Sequence, residues 1–401
     1  MKKYTNSLII AAMMLLIPAI FMSGCSETAS APTPTEFQWP ERMAVVSSTG
    51  IGEAVNIAWA RPLEEDTGMK VRVVPEASLM LRFKWLKEGR FFMCGESTGV
   101  VGDVLAANRE YAVRDLGPFP LRVIWSGGKT DSGYIIRSDS YLHDVNDISP
   151  GTKMPEMSFS GTPRARFIAL AAWAGDDEDE IVWVPFGNYE AMIRGVTEGR
   201  VDLAFAFPTS ASVYEAEATP HGIRWLELPY DTDPEGVQRF LDLQPYTEFG
   251  VMSQGVQSAH GVKGNSGVTL KYVTEDADPA LVYYLAKWLD ENHDRYEGGH
   301  KTLEDMTLDT LMQGLGTTFV PVHEGLIRYL KGKGLWTEAH DARQKANLEL
   351  LNRYTKAYQA ALVKADEIEI KVDPLNNDWL TLWESYKAEF PPLRLFLGIE
   401  Q

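Results

Sequence analysis

An extended apolar run from Met43 to Ser48 passes through Thr49, Gly50, Ile51 and Gly52 into a helical stretch that includes Trp59 and reaches Glu65. A second extended run, Lys70 to Val74, follows at once. Strand, glycine turn, helix and strand make a βαβ unit, and such units commit a chain to an α/β sheet with helices on its faces. Pro75 and Ser78 open a further helix to Lys87, and Gly89 and Arg90 lead into a strand from Phe91 to Cys94. Leu121 to Trp125 and Gly133 to Arg137 read as two more strands. A loop from Asp147 to Lys153 precedes a strand from Glu156 to Phe159.

The same grammar then starts again. Ser160, Gly161, Thr162 and Pro163 open a helix to about Ala174, with Thr162 as N-cap and Pro163 in the first helical position. A strand from Ile181 to Val184, a helix from Tyr189 to Glu198 and a strand from Val201 to Phe207 follow. This order predicts two lobes of similar construction, without internal repeats.

The compartment is set at the start of the chain. Lys2 and Lys3 precede an apolar run from Leu8 to Phe21 that ends in Met22, Ser23, Gly24 and Cys25. Pro18 and the small residues interrupt the run too early for a spanning helix of roughly 20 apolar residues, so residues 1–24 read as an export signal. Small residues directly before a cysteine resemble a lipobox, which would make Cys25 a lipid anchor; an ordinary signal peptide with an incidental cysteine is the plainer alternative. Residues 25–40, rich in Ser, Thr, Ala and Pro, read as a flexible tether. Only Cys94 then remains, so the mature chain has no internal disulfide and depends on a packed core.

The whole chain carries 38 basic and 56 acidic residues, a net charge of −18. Loss of Lys2 and Lys3 with the leader leaves 36 basic residues against the same 56 acidic ones, or −20. This excludes nucleic acid and anionic lipid headgroups as partners and means that local donors must hold any anionic ligand.

Two turns offer such donors. The turn at Thr49 and Gly50 lacks the third glycine of a dinucleotide fingerprint, because residue 55 is valine. Its helix start still presents free backbone N–H groups to an anion. The turn at Ser160, Gly161 and Thr162 does the same from the second lobe and adds Arg164 and Arg166. Cations in a first helical turn oppose the helix dipole, which favours a ligand anion there or, equally, a surface pair with a nearby acid. Asn188, at the start of a helix, and Phe207, at the end of a strand, stand where open α/β sheets place pocket walls. Plain packing is the other reading for both.

Asp176 to Glu180 lacks the alternation and glycine of a calcium loop and reads as a solvated loop. The seven histidines show no paired metal spacing, and no G-x-S-x-G elbow occurs. Glu53 or Glu96 in a cleft is what a tethered envelope hydrolase would use, but no two acids are placed face to face by the sequence.

At this level the chain resembles the TAXI family, solute-binding subunits of tripartite ATP-independent periplasmic (TRAP) transporters. The resemblance spans roughly Met43 to Trp336. Val320 to Tyr329 followed by Gly334, Leu335 and Trp336 is similar to the family's closing pattern. Asp147 to Lys153 before Ser160 to Thr162 resembles its second-lobe start, Gly195 to Phe205 its helix-to-strand step, and Asp278 to Tyr283 its later helix. The chain departs from the family after the first turn, where Gly52, Glu53, Ala54, Val55 and Asn56 replace a second glycine and a tyrosine. Glu324 replaces a proline after His323.

The resemblance implies a class II periplasmic-binding fold, two α/β lobes closing on a ligand cleft, with crossings near Gly133 to Arg137 and Thr269 to Thr274. Lobe 1 would comprise 41–136 and 268–336, lobe 2 137–267, and 337–401 a helical extension. The implied ligand is a small carboxylate, an amino or organic acid, touched by Thr49, Gly50, Ser78, Ser160, Gly161 and Thr162. To these the reading of the residues adds Arg164, Asn188 and Phe207. The implied partners are the membrane subunits of a TRAP transporter, with the protein periplasmic, anchored through Cys25, not an enzyme and without a cofactor. A receptor presenting its ligand to a sensor kinase is the alternative, ahead of the hydrolase.

Overall fold

The computed structural model describes residues 37–157 and 161–396, with the folded unit beginning at Trp39. The leader, Cys25, most of the tether and Ser160 lie outside the described residues.

In chain order, the first part holds β1 (Arg42–Ser47), α1 (Ile51–Thr67), β2 (Lys70–Pro75), α2 (Leu79–Lys87), β3 (Met93–Ser97) and α3 (Thr98–Leu105). It leads into β4 (Leu121–Arg137). The second part adds β5 (Lys153–Met157), α4 (Gly161–Ala174), β6 (Val182–Phe186), α5 (Tyr189–Thr197), β7 (Leu203–Ala206) and α6 (Ala211–Glu217). It closes with β8 (Ile223–Leu226), α7 (Pro234–Leu243) and β9 (Phe249–Val251). The chain returns through β10 (Lys263–Thr274) to α8 (Pro279–Glu291), α9 (Leu308–Thr317) and α10 (Glu324–Gly332). Last come α11 (Glu338–Glu367) and α12 (Asn377–Lys387).

The main sheet runs β2-β1-β3-β10-β4-β7, with β8 also on β4 and β9 on β10; β5 and β6 pair separately in parallel. β1 is parallel to both β2 and β3, as its βαβ connections require. Where two separate strands were expected, at Leu121 to Trp125 and Gly133 to Arg137, one strand of 17 residues runs through both. β10 carries it across Ser126 to Ser132 by pairing antiparallel from Asn265 opposite Ser132 to Thr274 opposite Leu121.

The longer of these strands, β4, belongs to both cores, and β10 joins it in the first. Leu121, Val123 and Trp125 of β4 join Val268, Leu270 and Tyr272 of β10 in the first core, together with Trp59, Phe83 and Leu326. Tyr134, Ile135 and Ile136, further along β4, join Phe167, Trp173, Phe205 and Phe240 in the second. Two α/β lobes crossed by a pair of strands are the class II periplasmic-binding architecture.

The C-terminal extension packs on the first lobe. Leu351, Tyr354, Tyr358, Trp379 and Trp383 are all buried in the first core. The Nε1–H groups of Trp379 and Trp383 donate to the carbonyls of Ala112 and Ala106 at 2.8 and 2.9 Å, which satisfies the polar end of each ring.

Candidate functional site

Thr49 and Gly50 stand exposed at the start of α1. Gly50 adopts φ +70° and brings no side-chain cap, so the first N–H groups of this 17-residue helix are not used by a capping side chain. A side chain on Gly52 would collide with Ser48, which explains the glycine there. Just behind the turn the hydroxyl of Ser47 is buried without a partner. Deeper in the lobe, Nζ of Lys271 donates to Oδ1 of Asn56 at 3.0 Å, and burial pushes this amine down to about 8.

Ser78 spends its hydroxyl on its own helix, accepting from the Leu81 N–H at 3.3 Å as the N-cap of α2. A neighbouring feature escaped the sequence reading. Ser97 is the N-cap of α3 with no side-chain bond to the helix, so Thr98 and Gly99 form a second open helix start in the first lobe. The signal was available in Gly95, Ser97, Thr98 and Gly99 directly after a strand, the same chemistry as the two turns that were recognised.

In the second lobe, Gly161 is the first residue of α4, and Thr162 lies in its first turn. Arg164 is not free for a ligand. It pairs with Glu156 and Glu178, with Nε donating to Glu178 at 3.0 Å, and its guanidinium lies 4.3 Å from the Trp183 ring centre. The acidic run therefore supplies one of the two partners of Arg164. Asn188 is exposed and caps α5, accepting from the Ala191 N–H at 2.8 Å. The Phe207 N–H donates to the Tyr189 hydroxyl at 2.8 Å, and its ring packs on Phe205 at 5.2 Å. Ser78, Arg164 and Asn188 thus spend their polar groups within their own lobes.

Arg166 behaves differently. Its guanidinium stacks 4.9 Å above Phe205 of the second lobe and reaches the first lobe at Gly99, where an added methyl group would lie 3.7 Å from Nη2. Among the described residues it enters no ion pair. The structure therefore brings a second-lobe cation to the open start of α3, in place of the Arg164 clamp.

Further contacts tie the lobes together around this point. The Tyr246 ring, from the segment between α7 and β9, lies against Gly102 of α3 and 5.6 Å from Phe319. Gln254, beyond β9, donates its amide to Asp305 of the first lobe. Glu248 bonds Thr317 of α9, and its burial raises its carboxyl above the usual range.

Other candidates have structural employment. Glu96 pairs with buried Arg82 at 2.9 Å. His323 caps α10, its Nδ1 accepting from the Gly325 N–H at 3.1 Å. Cys94 is a buried thiol that burial pushes up to about 12. No group of three or more His, Cys, Asp or Glu able to hold a metal ion occurs among the described residues, and no described helix is long and apolar enough to cross a membrane.

No curated protein sequence matches the chain. Among solved structures it is similar to a periplasmic transporter, at 11% identity and a TM-score of 0.43 over 78% of this chain and 96% of that one. It is also similar to a putative L-cystine ABC transporter from Listeria monocytogenes, at 10% identity and 0.40 over 67% and 98%. The periplasmic aliphatic sulphonate binding protein SsuA from Escherichia coli gives 13% identity and 0.35 over 89% and 82%. The model of the NMT1-like family matches residues 50–334, which run from the first glycine turn through both crossing strands to the end of α10, and the chain therefore belongs to the NMT1-like family.

Proposed function

We propose that this protein is an exported solute-binding protein that holds a small carboxylate between its two lobes and delivers it to the membrane subunits of a TRAP-type transporter. Lobe 1 is formed by 41–136 and 268–336 and lobe 2 by 137–267. Lipid on Cys25 tethers the body at the periplasmic face of the membrane. No catalytic step and no cofactor are required.

The observation that carries the reading is the placement of Arg166, a cation without an ion pair among the described residues, against Gly99 at the open start of α3 in the opposite lobe. In a chain of net charge −18 a carboxylate needs such local positive groups, and a planar guanidinium suits it bidentately. A ligand that touches donors from both lobes binds the closed form better than the open one, and this difference in affinity drives closure.

The test is a thermal-shift screen of the purified protein against amino acids and organic acids. A true ligand at 100 times its dissociation constant stabilises the fold by about 2.7 kcal/mol. A panel in which no carboxylate shifts the transition, or in which the bound solute is turned over, overturns the reading.

A further inference from the structure

Among the buried cations of the first lobe are Arg82 and Lys271, and the strand register assigns them to opposite faces of its sheet. Leu270 of β10 stands opposite Glu96 of β3, and Lys271 opposite Gly95, while Val45 of β1 pairs with Met93. Opposed residues share a face and successive residues alternate, so Lys271, Gly95, Met93, Val45 and Ser47 point to one side. Glu96 and Cys94 point to the other.

On the second side the charge is matched, because Arg82 meets Glu96 at 2.9 Å. On the first it is not. Lys271 is 2% exposed, and its Nζ has Asn56 Oδ1 at 3.0 Å and the Trp59 ring centre at 5.4 Å. Among the described residues no carboxylate pairs with it. A buried ammonium without a counter-ion costs several kcal/mol, so its retention calls for an anion.

The geometry indicates where that anion sits. Oδ1 of Asn56 is shared between Lys271 and Nε1 of Trp59, and Nδ2 of Asn56 donates to the Gly52 carbonyl at 2.9 Å. The amide therefore joins the buried ammonium to the turn that opens α1. The Ser47 hydroxyl, on the same face, 1% exposed and without a partner, immediately precedes that turn. Gly50 leaves the helix start uncapped by any side chain.

We propose that Lys271 is the fixed counter-charge for a second anionic group of the solute, distinct from the one that Arg166 meets, seated at the start of α1 with the Ser47 hydroxyl as a further donor. Lys271 acts through Asn56 and the local field rather than by contact, and is a positioning residue. It selects a charged solute over its uncharged counterpart. The assignment rests on the solute-binding reading.

Calorimetric titration of wild type, Lys271→Met and Asn56→Asp with succinate, L-glutamate and 2-oxoglutarate tests it, with succinamide as the uncharged counterpart of succinate. Lys271→Met should fold with an unchanged or higher Tm and bind the acid that wild type prefers about tenfold more weakly. Its preference for succinate over succinamide should narrow by a similar factor. Asn56→Asp, which sets a carboxylate on Nζ while keeping the lysine, should show the same loss, and it decides the matter if the methionine variant does not fold. Binding of the acids within twofold of wild type by both variants overturns the role of Lys271 and leaves the solute-binding reading standing. A wild type that binds none of these acids, nor any from the wider screen, removes that reading and this assignment with it.

Discussion

The ring of Tyr246 occupies the space that any side chain at Gly102 would need. Tyr246, from the segment between α7 and β9, therefore rests on α3 at a position that has no side chain, and Phe319 closes the seat at 5.6 Å. Gly102→Ala should push the ring out, at a cost of about 1 to 3 kcal/mol, and splay the lobes. Small-angle scattering should then give a larger radius of gyration than wild type. An unchanged radius and an unchanged Tm would mean that the contact does not hold the lobes together.

Glu248 supplies the pH dependence of this junction. Its burial beside Thr317 raises its folded value above the ordinary 4.5, so the folded state binds the proton more readily than the unfolded chain. The protein accordingly loses stability as pH rises from 4.5 through the raised value. Glu248→Gln removes that loss, and should be more stable than wild type at pH 7 and equal to it near pH 4. Urea unfolding at the two pH values checks this, and a variant that is less stable than wild type at pH 7 contradicts it.

The extension behaves as part of the first lobe's core. Trp383 is 1% exposed, donates to the Ala106 carbonyl at 2.9 Å and meets the Tyr358 ring at 4.9 Å between centres. Trp383→Ala should cost about 3 to 5 kcal/mol, and unfolding followed by tryptophan fluorescence should remain a single transition with a lower midpoint. Two separated transitions would show that the extension folds independently.

The βαβ grammar was legible because strand and helix periods differ, and turn residues such as Gly50 and Ser78 mark their junctions. α3 was not, because Val100, Val101 and Val104 are β-branched and favour a strand reading by propensity; burial against the core makes them helical. The unity of β4 was hidden by Ser126, Gly127, Gly128 and Ser132, which look like a turn; Gly128 does take φ +98°, and pairing with β10, more than 130 residues later, carries the strand through that irregularity. At the site, the sequence presented Arg164 and Arg166 as equals. The choice between them depends on Glu178, brought alongside Arg164 by tertiary structure, and on Phe205, which carries the Arg166 guanidinium towards the other lobe.

The central claim is that Arg166 meets an anionic solute at the junction of the lobes. Isothermal titration of the best acid from the screen into wild type, Arg166→Gln and Arg164→Gln tests it most directly. The account predicts a dissociation constant at least about tenfold weaker for Arg166→Gln, a loss of about 1.4 kcal/mol or more, with Arg164→Gln close to wild type. Equal binding by wild type and Arg166→Gln would contradict it.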